Sequence, residues 1–94
     1  MSGHDDVLSQ LLRGERPSGL RYAELARVLQ ERCQYTLVGF EGPYRSWKHD
    51  CSPRLLTVRD EGSQPMYSRY IDAAGRHVKA VRDAGGFRET DDAR

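Results

Sequence analysis

The sequence has few cysteines and no long apolar segment. Its two cysteines, Cys33 and Cys51, lie 18 positions apart, and neither has a second cysteine close by. This spacing predicts two reduced thiols, although His49 and Cys51 have the spacing of half a zinc site. No apolar run reaches five residues, whereas roughly 20 are needed to cross a bilayer, and the first 15 residues lack a secretory signal. We therefore expect a soluble, cytoplasmic chain with no membrane partner, metal or other cofactor.

A strong net charge is also missing. Fifteen basic and fourteen acidic residues leave a formal charge of +1, which by itself indicates no class of partner. The central part of the chain, residues 20–82, is more basic, with eleven cationic against seven anionic side chains, and 13 of the 15 cations are arginines. Arginine binds phosphate in a bidentate manner and stacks on bases, so the composition is compatible with nucleic acid without establishing it.

The apolar spacing predicts a small α+β domain. Three segments have helical spacing, namely 5–12, 21–32 and 72–84, the last with Asp72 as its N-cap. Three segments between them have the period and composition of strands, namely 35–40, 44–49 and 54–59. Short turns connect these strands, which favours a three-stranded antiparallel meander.

This element order predicts an αβββα domain with helices on one face of the sheet, the layout of a double-stranded-RNA-binding domain. A short extra helix precedes it. We assign residues 1–17 to that helix and a connector, 18–86 to the domain, and 87–94 to a flexible acidic tail.

Four segments resemble the HicA toxin family, small bacterial proteins of toxin–antitoxin pairs. They are the helix at 21–29, the turn and aromatic-basic strand at 42–49, the strand and loop at 56–62, and part of the last helix at 77–81. The resemblance covers about residues 18–86. It implies a dsRBD-like fold and an mRNA interferase, a ribonuclease that acts as an endonuclease and is inhibited by an antitoxin covering its active face.

The family's catalytic histidine falls on Tyr44, the serine before it on Pro43, and a second common histidine on Glu61. A neutral imidazole takes a proton from a ribose 2′-hydroxyl near pH 7, whereas a phenol with an ordinary pKa of about 10 is protonated there and only donates. Two hypotheses follow. Either the chain is a ribonuclease in which another group replaces the base, or it is a catalytically inactive relative that binds RNA or a partner protein.

The candidate catalytic residues are Tyr44 and His49. Tyr44 has three interpretations: it stacks on a base, it completes the sheet, or it takes part in catalysis. His49 shares a face of its predicted strand with Trp47, which favours a half-buried structural residue over a displaced catalytic one.

The candidate RNA-binding side chains are cationic, and the alternative for them is a solvated charged surface. They are Arg45, Lys48, Arg59, Arg76, Lys79 and Arg82. A third, structural hypothesis is a homodimer, because the exposed edge of a small sheet can pair with another copy.

Overall fold

A computed structural model of the chain describes residues 3–87 and, within the first helix, side chains from Val7 onward. Three helices and three strands follow the predicted order. They are α1 (Gly3–Leu12), α2 (Tyr22–Glu31), β1 (Thr36–Glu41), β2 (Tyr44–Lys48), β3 (Leu56–Arg59) and α3 (Ser68–Asp83). The small α+β domain with a three-stranded antiparallel sheet is thus confirmed.

The sheet is a meander in the order β1-β2-β3, so β2 is central and β1 is an edge strand. Across β2 and β3, Tyr44 lies opposite Arg59, and Trp47 lies opposite Leu56. The register between β1 and β2 shifts by one residue at Val38, as in a β-bulge. Beyond the bulge, Glu41 lies opposite Tyr44.

One hydrophobic core lies between the sheet and the helices. On β2 and β3 the side chains that face the helices, Trp47 and Val58, are buried, whereas the adjacent Lys48 and Thr57 are exposed. This alternation is expected for strands with one covered face. Helix α3 packs on both β3 and α1. At Gly75 the helices approach so closely that a Cβ atom would lie 3.1 Å from the Leu11 carbonyl oxygen.

The last helix differs from the prediction at its beginning. It begins at Ser68, so Asp72 lies inside the helix and the prediction that it is the N-cap is wrong. The Asp72 carboxylate instead accepts two hydrogen bonds from the Arg16 guanidinium, at 2.9 and 2.7 Å. This contact lowers the pKa of Asp72 and connects the segment after α1 to α3.

The C-terminal end of the described chain packs on the domain. Phe87, which the sequence assigns to the tail, is half-buried against the core. The rest of the predicted acidic tail, 88–94, lies outside the described residues. Within residues 3–87, no helix has the length and hydropathy required to cross a membrane.

Candidate nucleic-acid interface

The loop after β3 is attached to the β1–β2 hairpin. The Asp60 backbone N–H donates to the Pro43 carbonyl at 2.8 Å. The Arg45 guanidinium donates to the Gly42 carbonyl at 2.7 Å and lies 3.5 Å from the Asp60 carboxylate. Arg45 is also stacked 4.8 Å from the centroid of the Phe40 ring. Because its donors are engaged with the hairpin and with Asp60 of the loop after β3, Arg45 stabilises this end of the sheet and has little capacity left for phosphate.

The beginning of α3 is held at the same end of the sheet. The Met66 N–H donates to the Leu20 carbonyl at 2.8 Å, and Pro65 forms an isolated bridge with Arg21. This anchoring brings Tyr67, the N-cap residue of α3, and Tyr70, in its first turn, beside the adjoining ends of β2 and β3.

Five side chains form what we call the tyrosine–arginine cluster: Tyr44, Arg59, Tyr67, Arg69 and Tyr70. The Tyr44 and Tyr70 rings meet edge to face with centroids 6.5 Å apart. The guanidinium carbon of Arg59 lies 5.7 Å from the Tyr67 ring centroid, and that of Arg69 lies 5.8 Å from the Tyr70 centroid. Tyr44 is 40% exposed and Tyr67 49% exposed. The cluster therefore presents aromatic rings and cations together at the surface.

The charges of this cluster are partly balanced. Arg59 Nε lies 3.2 Å from the Glu61 carboxylate, whose side chain is mostly buried. Arg69 adds a second cation, so the two arginines exceed the one carboxylate. Hydrogen bonding with the Tyr44 hydroxyl, and to a lesser extent burial, raises the pKa of Tyr70. Tyr70 is consequently a neutral phenol at physiological pH.

His49 lies far from Tyr44. Tyr44 begins β2 and His49 directly follows its last residue, so the two are five positions, or about 16 Å of extended chain, apart and on opposite faces. His49 is only 5% exposed, which is deeper than the half-buried position that the sequence predicts. Its Nδ1 accepts the Cys51 backbone N–H at 2.9 Å, which fixes a neutral ring with the proton on Nε2. Gly86 covers the ring, since a Cβ there would lie 2.6 Å from His49 Cε1.

His77 is also engaged within the fold. Its Nε2 lies 3.0 Å from the Arg54 carbonyl oxygen, which only accepts, so this nitrogen carries the proton in the neutral ring. Its Nδ1 then accepts a hydrogen bond from the Tyr35 hydroxyl at 2.7 Å. Ser52 Oγ is 3.4 Å from the same Nε2, but with the proton there the ring does not act as a base toward serine. Neither His49 nor His77 offers a free basic nitrogen at the surface.

The other candidate RNA-binding cations do not join the cluster. Lys48 is at the far end of β2, within 3.7 Å of Asp50. Arg76 and Lys79 line a cavity of about 580 Å³ between α1 and α3. Arg82 pairs with Asp83 at 3.0 Å. Of the six predicted residues, only Arg59 belongs to the cluster, and Arg45, which donates to the Tyr44 carbonyl at 3.1 Å, is engaged with the hairpin and Asp60. The six therefore do not form one continuous surface.

Tyr67, Arg69 and Tyr70 were not among the predicted site residues, because the predicted helix begins at Asp72 and residues 66–71 belong to no predicted element. A signal was present, since two of the five tyrosines lie three residues apart with an arginine between them. Tyr67 is the N-cap residue of α3 and Tyr70 lies in its first turn. A helix that begins four residues before Asp72 therefore brings both rings to the same end of α3.

No group of three or more histidine, cysteine or acidic side chains suited to a metal ion occurs among the described residues. Comparison of the chain with protein-family models, with curated proteins and with solved structures finds no match.

Proposed function

We propose that the chain is a HicA-like, dsRBD-like RNA-binding protein of a bacterial toxin–antitoxin type system, and that it binds single-stranded RNA at the tyrosine–arginine cluster. Two exposed rings near Arg59 carry this proposal: Tyr44, its cross-strand neighbour, and Tyr67, whose ring lies 5.7 Å from its guanidinium carbon. Unpaired bases stack on such rings, and a neighbouring guanidinium contacts the phosphate or the base plane.

The family resemblance and the geometry support the same location. Tyr44 and Glu61 occupy the positions that correspond to the two family histidines. Both lie beside Arg59, Tyr44 as its cross-strand neighbour and Glu61 as its ion-pair partner. Two positions separated by 17 residues in the sequence are therefore neighbours on one surface.

The chemistry of the described side chains favours binding without cleavage. The hydroxyl of a neutral tyrosine does not abstract a proton from a ribose 2′-hydroxyl. The imidazoles of His49 and His77 are held in contacts with the backbone, the first behind Gly86 and the second against Arg54. We therefore favour the catalytically inactive module over an active mRNA interferase.

Fluorescence anisotropy with a labelled single-stranded RNA tests the proposal. Tyr67→Ala removes one stacking ring, and Leu55→Ala is a matched control because the two side chains are equally exposed, at 49% and 51%. Stacking contributes about 1–3 kcal/mol per base, so Tyr67→Ala should weaken binding about 5- to 150-fold. Equal affinities of the two variants would contradict the assignment of the cluster.

The dependence of binding on salt separates RNA from a protein ligand such as an antitoxin. Displacement of counterions from phosphate makes RNA affinity fall steeply as the salt concentration rises. If the chain binds no RNA and instead forms a salt-insensitive complex with one protein, the RNA proposal fails and the protein-binding alternative replaces it.

A further inference from the structure

We infer that two copies of the chain pair through the outer edge of β1 and form a continuous six-stranded sheet. Within the described residues β1 pairs only with β2, so its other edge presents unpaired backbone donors and acceptors. Such an edge is a template for another strand.

The side chains of β1 are unusually apolar for a free edge. Phe40 is 69% exposed, the largest exposure among the large hydrophobic side chains described, and Val38 is 49% exposed. Glu41 is the one charged residue of the strand. Charges, prolines and bulges are the usual features that keep an edge strand free. β1 has a bulge at Val38, but it has no proline and its one charge is at its end.

The bulge in β1 indicates that the partner strand is a second β1. On β2 the inward positions Trp47 and Arg45 are two residues apart, but their partners on β1, Leu37 and Phe40, are three residues apart. In a regular strand the side chains on one face recur every two residues. A regular partner strand therefore places a side chain opposite only one of Leu37 and Phe40.

A second β1 in antiparallel orientation has the same irregular spacing, read in the opposite direction. Its Phe40 lies opposite Leu37 of the first copy, and its Leu37 lies opposite Phe40. This self-complementary register is what a two-fold interface requires. This register covers the exposed Phe40 ring of each copy. It also places each Glu41 opposite Thr36 of the other copy, so the two carboxylates remain at opposite ends of the interface.

The dimer leaves RNA binding in each copy unchanged. The tyrosine–arginine cluster lies on β2, β3 and α3, whereas the proposed contact uses only β1. The dimer proposal and the RNA-binding proposal can therefore be tested independently.

Sedimentation equilibrium of the full chain tests the oligomeric state. We expect the mass of a dimer for the unmodified protein and of a monomer for Phe40→Glu, which places a charge opposite Leu37. Leu55→Glu, at a side chain 51% exposed outside β1, should remain dimeric, and circular dichroism should show that both variants fold. A monomeric unmodified chain, or a dimer that persists in Phe40→Glu, would overturn the inference.

Cross-linking tests the register independently. In a Cys51→Ser background, the double variant Thr36→Cys with Glu41→Cys should form a covalent dimer on mild oxidation, because opposed strand positions meet the Cα separation of a disulfide. Neither single variant should do so efficiently, since Thr36 faces Glu41 and not another Thr36. Cys33 is fully buried, which keeps it out of the reaction. Equal cross-linking by a single variant would overturn this register.

Discussion

The hydroxyl of Tyr35 donates a hydrogen bond to Nδ1 of His77 at 2.7 Å, and the two residues are 42 positions apart in the sequence. This bond connects the segment before β1 to the middle of α3. On its other side the His77 ring donates from Nε2 to the Arg54 carbonyl, just before β3. One imidazole therefore connects α3 to the segments that precede β1 and β3.

Tyr35→Phe should lower the free energy of unfolding by about 1–3 kcal/mol, because the partly buried Nδ1 of His77 loses its donor. Urea denaturation at neutral pH measures this change. Tyr67→Phe removes a hydroxyl from an exposed ring and should leave the midpoint unchanged. A Tyr35→Phe protein as stable as the unmodified one would show that this bond contributes nothing.

Alkaline pH should destabilise the fold from about pH 9 upward. Burial raises the pKa of the Cys33 thiol from 9.0 to about 12, and burial also raises the pKa of Tyr35 above 10.0. The unfolded chain therefore loses these protons at a lower pH than the folded chain. Stability is fully present below pH 9. It falls by about 1.4 kcal/mol per pH unit through the thiol between pH 9 and 12, and Tyr35 adds to the decline from about pH 10 upward.

Thermal midpoints measured across this pH range test the assignment to Cys33. Cys33→Ala should flatten the alkaline decline, even if its stability at neutral pH is lower. Cys51→Ala, at an exposed thiol, should keep the slope of the unmodified protein. An unchanged slope in Cys33→Ala would exclude the thiol as the source.

Arg59→Gln should weaken binding of single-stranded RNA more than Lys48→Gln, although both variants remove one positive charge. Arg59 lies beside the Tyr67 ring, whereas Lys48 lies at the far end of β2 beside Asp50. A charged hydrogen bond contributes roughly 1.5–3 kcal/mol, which corresponds to about a 10- to 150-fold loss of affinity. Anisotropy titrations at one salt concentration measure both variants. Equal losses would indicate that binding depends on total charge.

Tyr44→His should restore the residue at the position of the family's catalytic histidine and introduce a base at neutral pH. We expect no RNA cleavage by the unmodified chain or by Tyr44→Phe, and measurable cleavage by Tyr44→His. Gel analysis of a labelled RNA, with folding of each protein checked by circular dichroism, measures this. Cleavage by the unmodified chain that is lost in Tyr44→Phe would instead identify the phenol as a replacement catalytic group.

The sequence predicted the element order well because apolar periodicity is a local property. The strands 44–48 and 56–59 lie within the predicted ones. The start of α3 was missed because Ser68 and Arg69 carry no apolar period, and tertiary contacts hold that turn in place. The separation of Tyr44 from His49 follows directly from strand geometry, so it was available from the sequence once both were assigned to β2.

By itself the sequence determined that the chain forms a small α+β domain with one sheet, because alternation and helical spacing depend on neighbouring residues. It also determined which face of β2 enters the core, since the positions of Trp47 and Lys48 follow from a period of two. Only the tertiary structure decided which cations share a surface with Tyr44 and which imidazoles remain accessible. Those relationships depend on the packing of α3 against the sheet, which brings Tyr67 to Arg59 and Tyr70 to Tyr44, and places Gly86 over His49.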